Sequence, residues 1–200
     1  MRPVLLSIFA LLLAFAPAQA QNTANPAEQF VSDQIRTGLT ILNDKGLSTE
    51  ARQARFGDFL LGATDLNRIA VFTLGDAART ATPAQRDAFN TAFSTYAIAV
   101  YRSYFQNYNG QSLTVTGSRT NGPGDTTVHT RLVDPNGSQP LAVDFRVRTD
   151  GPRPLVLDIG LAGISLAQTQ HDDFAAYLAR NPGGVDALTA HLVDVAKTYR

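Results

Sequence analysis

The hydrophobic period of this chain changes at Asn109-Gly110, and that change limits the fold more than any other feature. Before it, Phe89, Phe93, Tyr96, Val100, Tyr104 and Tyr108 fall three or four residues apart. Ala97, Tyr101 and Phe105 widen this helical stripe beyond a narrow seam. After it the period is that of a strand. Leu113 and Val115 alternate with polar neighbours, NGPGD makes a turn, Val128, Thr130 and Leu132 follow, and DPNG makes another turn. Leu141, Val143, Phe145 and Val147 then alternate with Ala142, Asp144, Arg146 and Arg148; beyond TDGP come Leu155, Leu157, Ile159 and Leu161. Four strands joined by such short turns predict an antiparallel meander with one apolar face.

Helices are expected on both sides of the meander. Asn25-Pro26-Ala27-Glu28 sets an N-cap before a proline at the first helical position, and Val31, Ile35, Leu39 and Leu42 recur at helical spacing up to Gly46. Further helices are expected over 49–61 and 65–74, and Thr82-Pro83-Ala84-Gln85 opens the long aromatic one as a capping box. Two more are expected over 169–179 and 185–197. The fold class is therefore α+β: N-terminal helices, a curled four-stranded antiparallel sheet and two C-terminal helices, with the helices packed on one side of the sheet.

The first twenty residues are a different matter. Arg2 precedes an apolar run from Val4 to Ala16, and Ala18-Gln19-Ala20 supplies an A-x-A cleavage site. Residues 1–20 read as a signal peptide, and 21–200 as a single exported domain. With Cys 0 there is no disulfide, no thiol nucleophile or ligand, and no residue to carry a lipoprotein anchor. Removing Arg2 with the leader leaves a net charge of −1, so no basic field exists to hold nucleic acid.

Gly163-Ile164-Ser165-Leu166-Ala167 fits the loose form of a nucleophile elbow. An elbow of that kind requires a parallel sheet with helical crossovers, which strands joined by short turns cannot make. Ser165, Asp186 and His191 stand in triad order, but the order needs only common residues. The preferred reading is that Gly163 relieves crowding between strand and helix while Ile164 and Leu166 point inward. His171-Asp172-Asp173 is not a metal cluster, because adjacent helical residues point apart. Thr169 and Asp172 are expected to be the cap pair of the following helix. His129 is expected on the solvated face, where Asp144 and Arg146 supply cross-strand charge pairs. Asp158, within an apolar strand, is the one acid that a cone-shaped isomerase could use beside a tyrosine, and such an enzyme is the alternative class. No catalytic residue, metal ligand or cofactor is assigned.

Three segments carry a family resemblance: DLNRIAVFTLG from Asp65, RTATPAQRDAF from Arg79, and DIGLAGISLAQ…DDFAAYLARNPGGVDAL from Asp158. In this combination and order the chain resembles the MlaC (toluene-tolerance) family of periplasmic phospholipid-binding proteins, departing from its pattern at Ala162 and Gln170-His171. The resemblance implies a soluble periplasmic shuttle with a phospholipid cargo and a part in outer-membrane lipid asymmetry. It further implies two partners: an inner-membrane ABC transporter complex with an MCE-type lipid-binding subunit, and an outer-membrane lipoprotein–porin complex. The chain has no G-x-x-x-x-G-K-[ST] loop, so direction must come from a partner that consumes ATP. A hopanoid or other polycyclic lipid is the alternative cargo.

An apolar helix face over an apolar sheet face is ordinarily a filled core. The resemblance implies a gap between the layers instead. The lipid-lining residues are then Phe72, Phe93, Tyr96, Val100 and Tyr104 from the helices, and Val115, Val143, Phe145, Val147, Leu157 and Ile159 from the strands, with Ile164 and Leu166 at the end of the sheet. In that arrangement Val143, Phe145, Leu157 and Ile159 oppose Phe93, Tyr96, Val100 and Tyr104.

Overall fold

The computed structural model describes residues 25–106, 108–137 and 139–199. The expected signal peptide lies outside the described residues, and so does the side chain of Tyr104. Five helices come first: α1 (Pro26–Leu42), α2 (Thr49–Ala63), α3 (Leu66–Leu74), the single turn α4 (Ala77–Thr80) and the long α5 (Pro83–Gln106). The strands β1 (Ser112–Gly122), β2 (Asp125–Val133), β3 (Leu141–Arg148), β4 (Leu155–Leu161) and β5 (Ile164–Ser165) follow, and α6 (Leu166–Arg180) and α7 (Gly184–Thr198) close the chain. The sheet runs β1-β2-β3-β4-β5, each neighbour antiparallel. The α+β class stands. The fifth strand, only two residues long, is too short to carry a sequence period.

Local chemistry explains where the helices begin. The Asn25 side chain accepts from the Ala27 N–H, and Pro26 has no N–H to leave unpaired. At the start of α5 the box closes in both directions: Gln85 N–H donates to Thr82 Oγ1 at 3.2 Å, and Thr82 N–H donates to Gln85 Oε1 at 3.0 Å. The expected cap of α6 is corrected. Ser165, not Thr169, accepts from Gln168 N–H, and Thr169 lies inside the helix with its hydroxyl donating back to the Ser165 carbonyl. Ser165 leaves the sheet in an extended conformation, as an N-cap must, one turn earlier than polarity suggested.

Packing divides the apolar interior in two. Phe89, Phe93 and Ala97 of α5 join Phe174 of α6 and Leu188 and Leu192 of α7 in a closed helical cluster, which Ala70 and Leu74 of α3 complete. Phe174 sets its ring edge against both Phe89 and Phe93, with centroids 5.9 and 6.3 Å away. A second cluster joins Ala27 and Val31 of α1 to Val128 and Val147 of the sheet. Thus α1 covers the inner face, whereas α5 packs along α7 and against α3 and α2. Of the α5 stripe expected to oppose the strands, Phe93 packs into the helical cluster. The C-terminal helices offer that stripe a large aromatic partner in Phe174, and α1 occupies the place over the strands.

A bulge changes the inward row of β4. Val147 pairs with Val156 and Arg146 with Asp158, which leaves Leu157 as the extra residue. Val156 is consequently the buried residue there, not Leu155 or Leu157, and Leu155 lies opposite Arg148.

Phe89 is fully buried at the centre of the helical cluster. Phe89→Ala should therefore destabilise the fold by about 3–5 kcal/mol, and Thr82→Ala by about 1 kcal/mol, in chemical denaturation. Equal, small effects for both would contradict the placement of the core.

Candidate functional site

The end of the sheet resolves the status of Ser165. Its hydroxyl donates to Asp158 Oδ2 at 2.5 Å and accepts from Gln168 N–H, while Asp158 Oδ1 accepts from Ala167 N–H at 3.0 Å. Asp158 is thus a carboxylate set at the positive end of α6, and Ser165 is the residue through which it reaches the helix. The other members of the written triad are engaged elsewhere. Asp186 accepts from Gln85 Nε2, and the His191 ring stacks on Tyr177 at 4.6 Å. The partners of the hydroxyl are a carboxylate and a backbone amide, and among the described residues no imidazole is hydrogen-bonded to it.

The outer face of the sheet is polar, as expected, with its charges paired across strands. His129 Nδ1 and Asp144 Oδ1 share a hydrogen bond of 2.8 Å directly across β2 and β3. Arg146 reaches diagonally to Asp125 in a two-pronged contact with a closest distance of 2.5 Å. The donated hydrogen bonds from Arg146, with a smaller one from Asn121, hold the Asp125 carboxyl below the usual aspartate range. Among the described residues no group of three His, Cys, Asp or Glu side chains could hold a metal ion.

The residues expected to line a gap fall into distinct environments. Phe93 is closed within the helical cluster, with Tyr96 packed beside it and the Tyr96 hydroxyl donating to Gln170 Oε1 at 3.0 Å. On the sheet side Val147 is fully buried, while Val115 and Phe145 stay half-buried against the same cluster with Phe30 and Ile35 of α1. Val143 is buried, and its carbonyl accepts from the Thr130 hydroxyl. Val100, Leu157, Ile159 and Leu166 are half-buried and belong to neither closed cluster.

Two of the expected residues lie on the surface. Ile164, the first residue of β5, is 63% exposed, so the expectation that it points inward is corrected; only Leu166 turns partly in. Positive φ at Ala162 and Gly163 forms this tight turn, which carries Ile164 past the sheet edge. Phe72 is 48% exposed, its ring 5.6 Å from that of His171. Below them Gly75, at φ +59°, admits no side chain, since a Cβ there would come within 2.8 Å of His171 Nε2.

The structure therefore brings Val115, Phe145 and Val147 together with Phe30 and Ile35, which the sequence reading did not assign. The signal was present in the helical period of α1 but was outweighed by the more aromatic α5.

Comparison with known proteins agrees with this architecture. A family model described as MlaC protein matches residues 32–194. The solved structure of a phospholipid-binding protein from Ralstonia solanacearum, in complex with a phospholipid, superposes with a TM-score of 0.76 at 23% sequence identity, covering 88% of this chain and 99% of that one.

Two outcomes follow from the site. Ser165→Ala should cost about 1 kcal/mol through loss of the cap and leave ligand binding unchanged; lost binding with unaltered stability would restore a chemical role to the hydroxyl. The lowered Asp125 pKa gives stability that is present above the unfolded value and lost as pH falls through the folded one. Asp125→Asn should accordingly flatten the acid limb of the stability curve below about pH 4. An unchanged limb in urea titrations would show that the Arg146 contact does not form in solution.

Proposed function

The chain belongs to the MlaC family, and on that premise we propose that it is a periplasmic phospholipid carrier which shuttles lipid between outer-membrane and inner-membrane complexes. The observation that carries the reading is the half-buried apolar contact between the sheet and α1. Val115 and Phe145 on the sheet and Phe30 and Ile35 on α1 form an apolar lining that remains half-buried, apart from the closed helical cluster. The phospholipid bound to the structurally similar Ralstonia solanacearum protein supports the same cargo here.

Energetics explain why a carrier of this kind needs no catalytic group. Each buried CH₂ is worth about 0.8 kcal/mol, so two acyl chains represent on the order of 25 kcal/mol against water. Free release into water is negligible at that cost. Transfer into an interior as apolar as a bilayer is close to neutral, provided the chains pass directly from one to the other. The protein's task is then to enclose, and to open where a partner's lipid path begins. Among the described residues no helix is long and apolar enough to cross a membrane. The proposed partners are an ATP-consuming inner-membrane complex with an MCE-type subunit and an outer-membrane lipoprotein–porin complex.

Lipid extraction tests the proposal. Protein purified from its native compartment should yield near-stoichiometric phospholipid in organic extracts analysed by mass spectrometry. Polycyclic lipid in its place would substitute the hopanoid cargo. Extracts without lipid, from protein that is folded, would refute carriage.

A further inference from the structure

Where the end of α1, the start of α2 and the last turns of α5 meet, the three helices line a recess of about 250 Å³. Its apolar walls are Leu42 and Phe56. Two arginines enter it from different helices, Arg52 of α2 and Arg102 of α5. Arg102 has a fully buried Nε with no hydrogen-bond partner. Its guanidinium lies against Gly57, where a Cβ would come within 2.9 Å of Nη2; the absence of a side chain there is what admits the group. Among the described residues neither arginine has a carboxylate partner. Arg52 makes a long contact of 3.4 Å with the Asp44 carbonyl. The acids nearby are otherwise engaged. Asp44 accepts from Gly46 N–H and pairs with Arg55, and Glu50 is held by its own backbone N–H and by Ser48.

We propose that this recess is a binding site for a phosphate group, with Arg102 and Arg52 as its charged donors. Two permanently charged guanidinium groups that line one recess without a carboxylate partner suit an oxyanion, and phosphate matches their forked geometry. The rest of the wall suits the same ligand. Thr49 is the first residue of α2, and Gln53 lies one turn further on; both are polar donors in the wall. The Tyr108 hydroxyl accepts from Asn43 Nδ2 at 3.0 Å, which leaves its own proton to donate. The phosphate can be that of a phospholipid head group, which rests on the carrier reading, or a free phosphate ion, which does not.

Delipidated protein should be melted in 10 mM inorganic phosphate and in chloride of equal ionic strength, as parent, Arg102→Gln and Arg52→Gln. The expected result is a phosphate-dependent rise in melting temperature of about 3 °C in the parent beyond that in either variant. The same comparison on protein reloaded with phosphatidylglycerol separates the sources: a rise abolished by the lipid assigns the site to the head group, and a rise that persists assigns it to free phosphate. Equal shifts in all three proteins would overturn the site, while lipid in the extracts of the parent would leave the carrier reading standing. A parent that responds to phosphate yet never holds lipid would keep the site and refute carriage. The Arg52→Gln variant and broadening of the phosphate ³¹P signal keep the test decisive if Arg102→Gln fails to fold.

Discussion

An antiparallel sheet with one apolar face must have that face covered, and the arrangement of this protein depends on which helix does so. Val128 and Val147 are covered by Ala27 and Val31, the small and β-branched residues of the first turns of α1. Small side chains let the helix approach closely there. The larger Phe30 and Ile35 beside them remain half-buried, as do Val115 and Phe145 across from them. The cover is therefore tight at one place and loose around it. Meanwhile Phe89, Phe93 and Ala97 of α5 pack against α6 and α7.

The two clusters differ in how tightly they are packed. The helical cluster is interdigitated in the manner of an ordinary core, with three phenylalanine rings in mutual contact. Tethers then tie it to the sheet. Arg148 pairs with Asp65 at 3.0 Å, and the same carboxylate caps α3 by accepting from Arg68 N–H. Arg153 donates to the Gly62 carbonyl, and Thr64 bridges to Val156. These contacts fix the junction of α2 and α3 to the sheet. A polar tether of this kind can hold two layers at a set separation, which apolar contact alone would tend to collapse.

Much of this was legible in the sequence, for identifiable reasons. Asn25-Pro26 and Thr82-Pro83-Ala84-Gln85 announced their helices because capping is a local interaction. The alternation through Val143, Phe145 and Val147 survived because β3 is regular and central. Three features were illegible. The bulge at Leu157 depends on how β4 meets its neighbour, and nothing in the local pattern marks the extra residue. The exposure of Ile164 follows from a left-handed turn at Ala162 and Gly163, where a non-glycine residue conceals the signal. The partner of the α5 stripe was a tertiary choice between two apolar faces, and periodicity gives the direction of a face without naming what it meets. Asp158 looked anomalous among apolar residues until the strand was joined to α6, whose N-terminus it caps together with Ser165.

The central claim is that acyl chain occupies the loosely covered sheet face and not the closed helical cluster. The chain has Trp 0, so Phe145→Trp would create its sole indole fluorophore. Loaded with phosphatidylglycerol brominated along its acyl chains, this variant should lose most of its emission relative to the same protein holding unbrominated lipid. Equal emission from the two samples at equal lipid occupancy would show that the chains lie elsewhere, and would contradict the account.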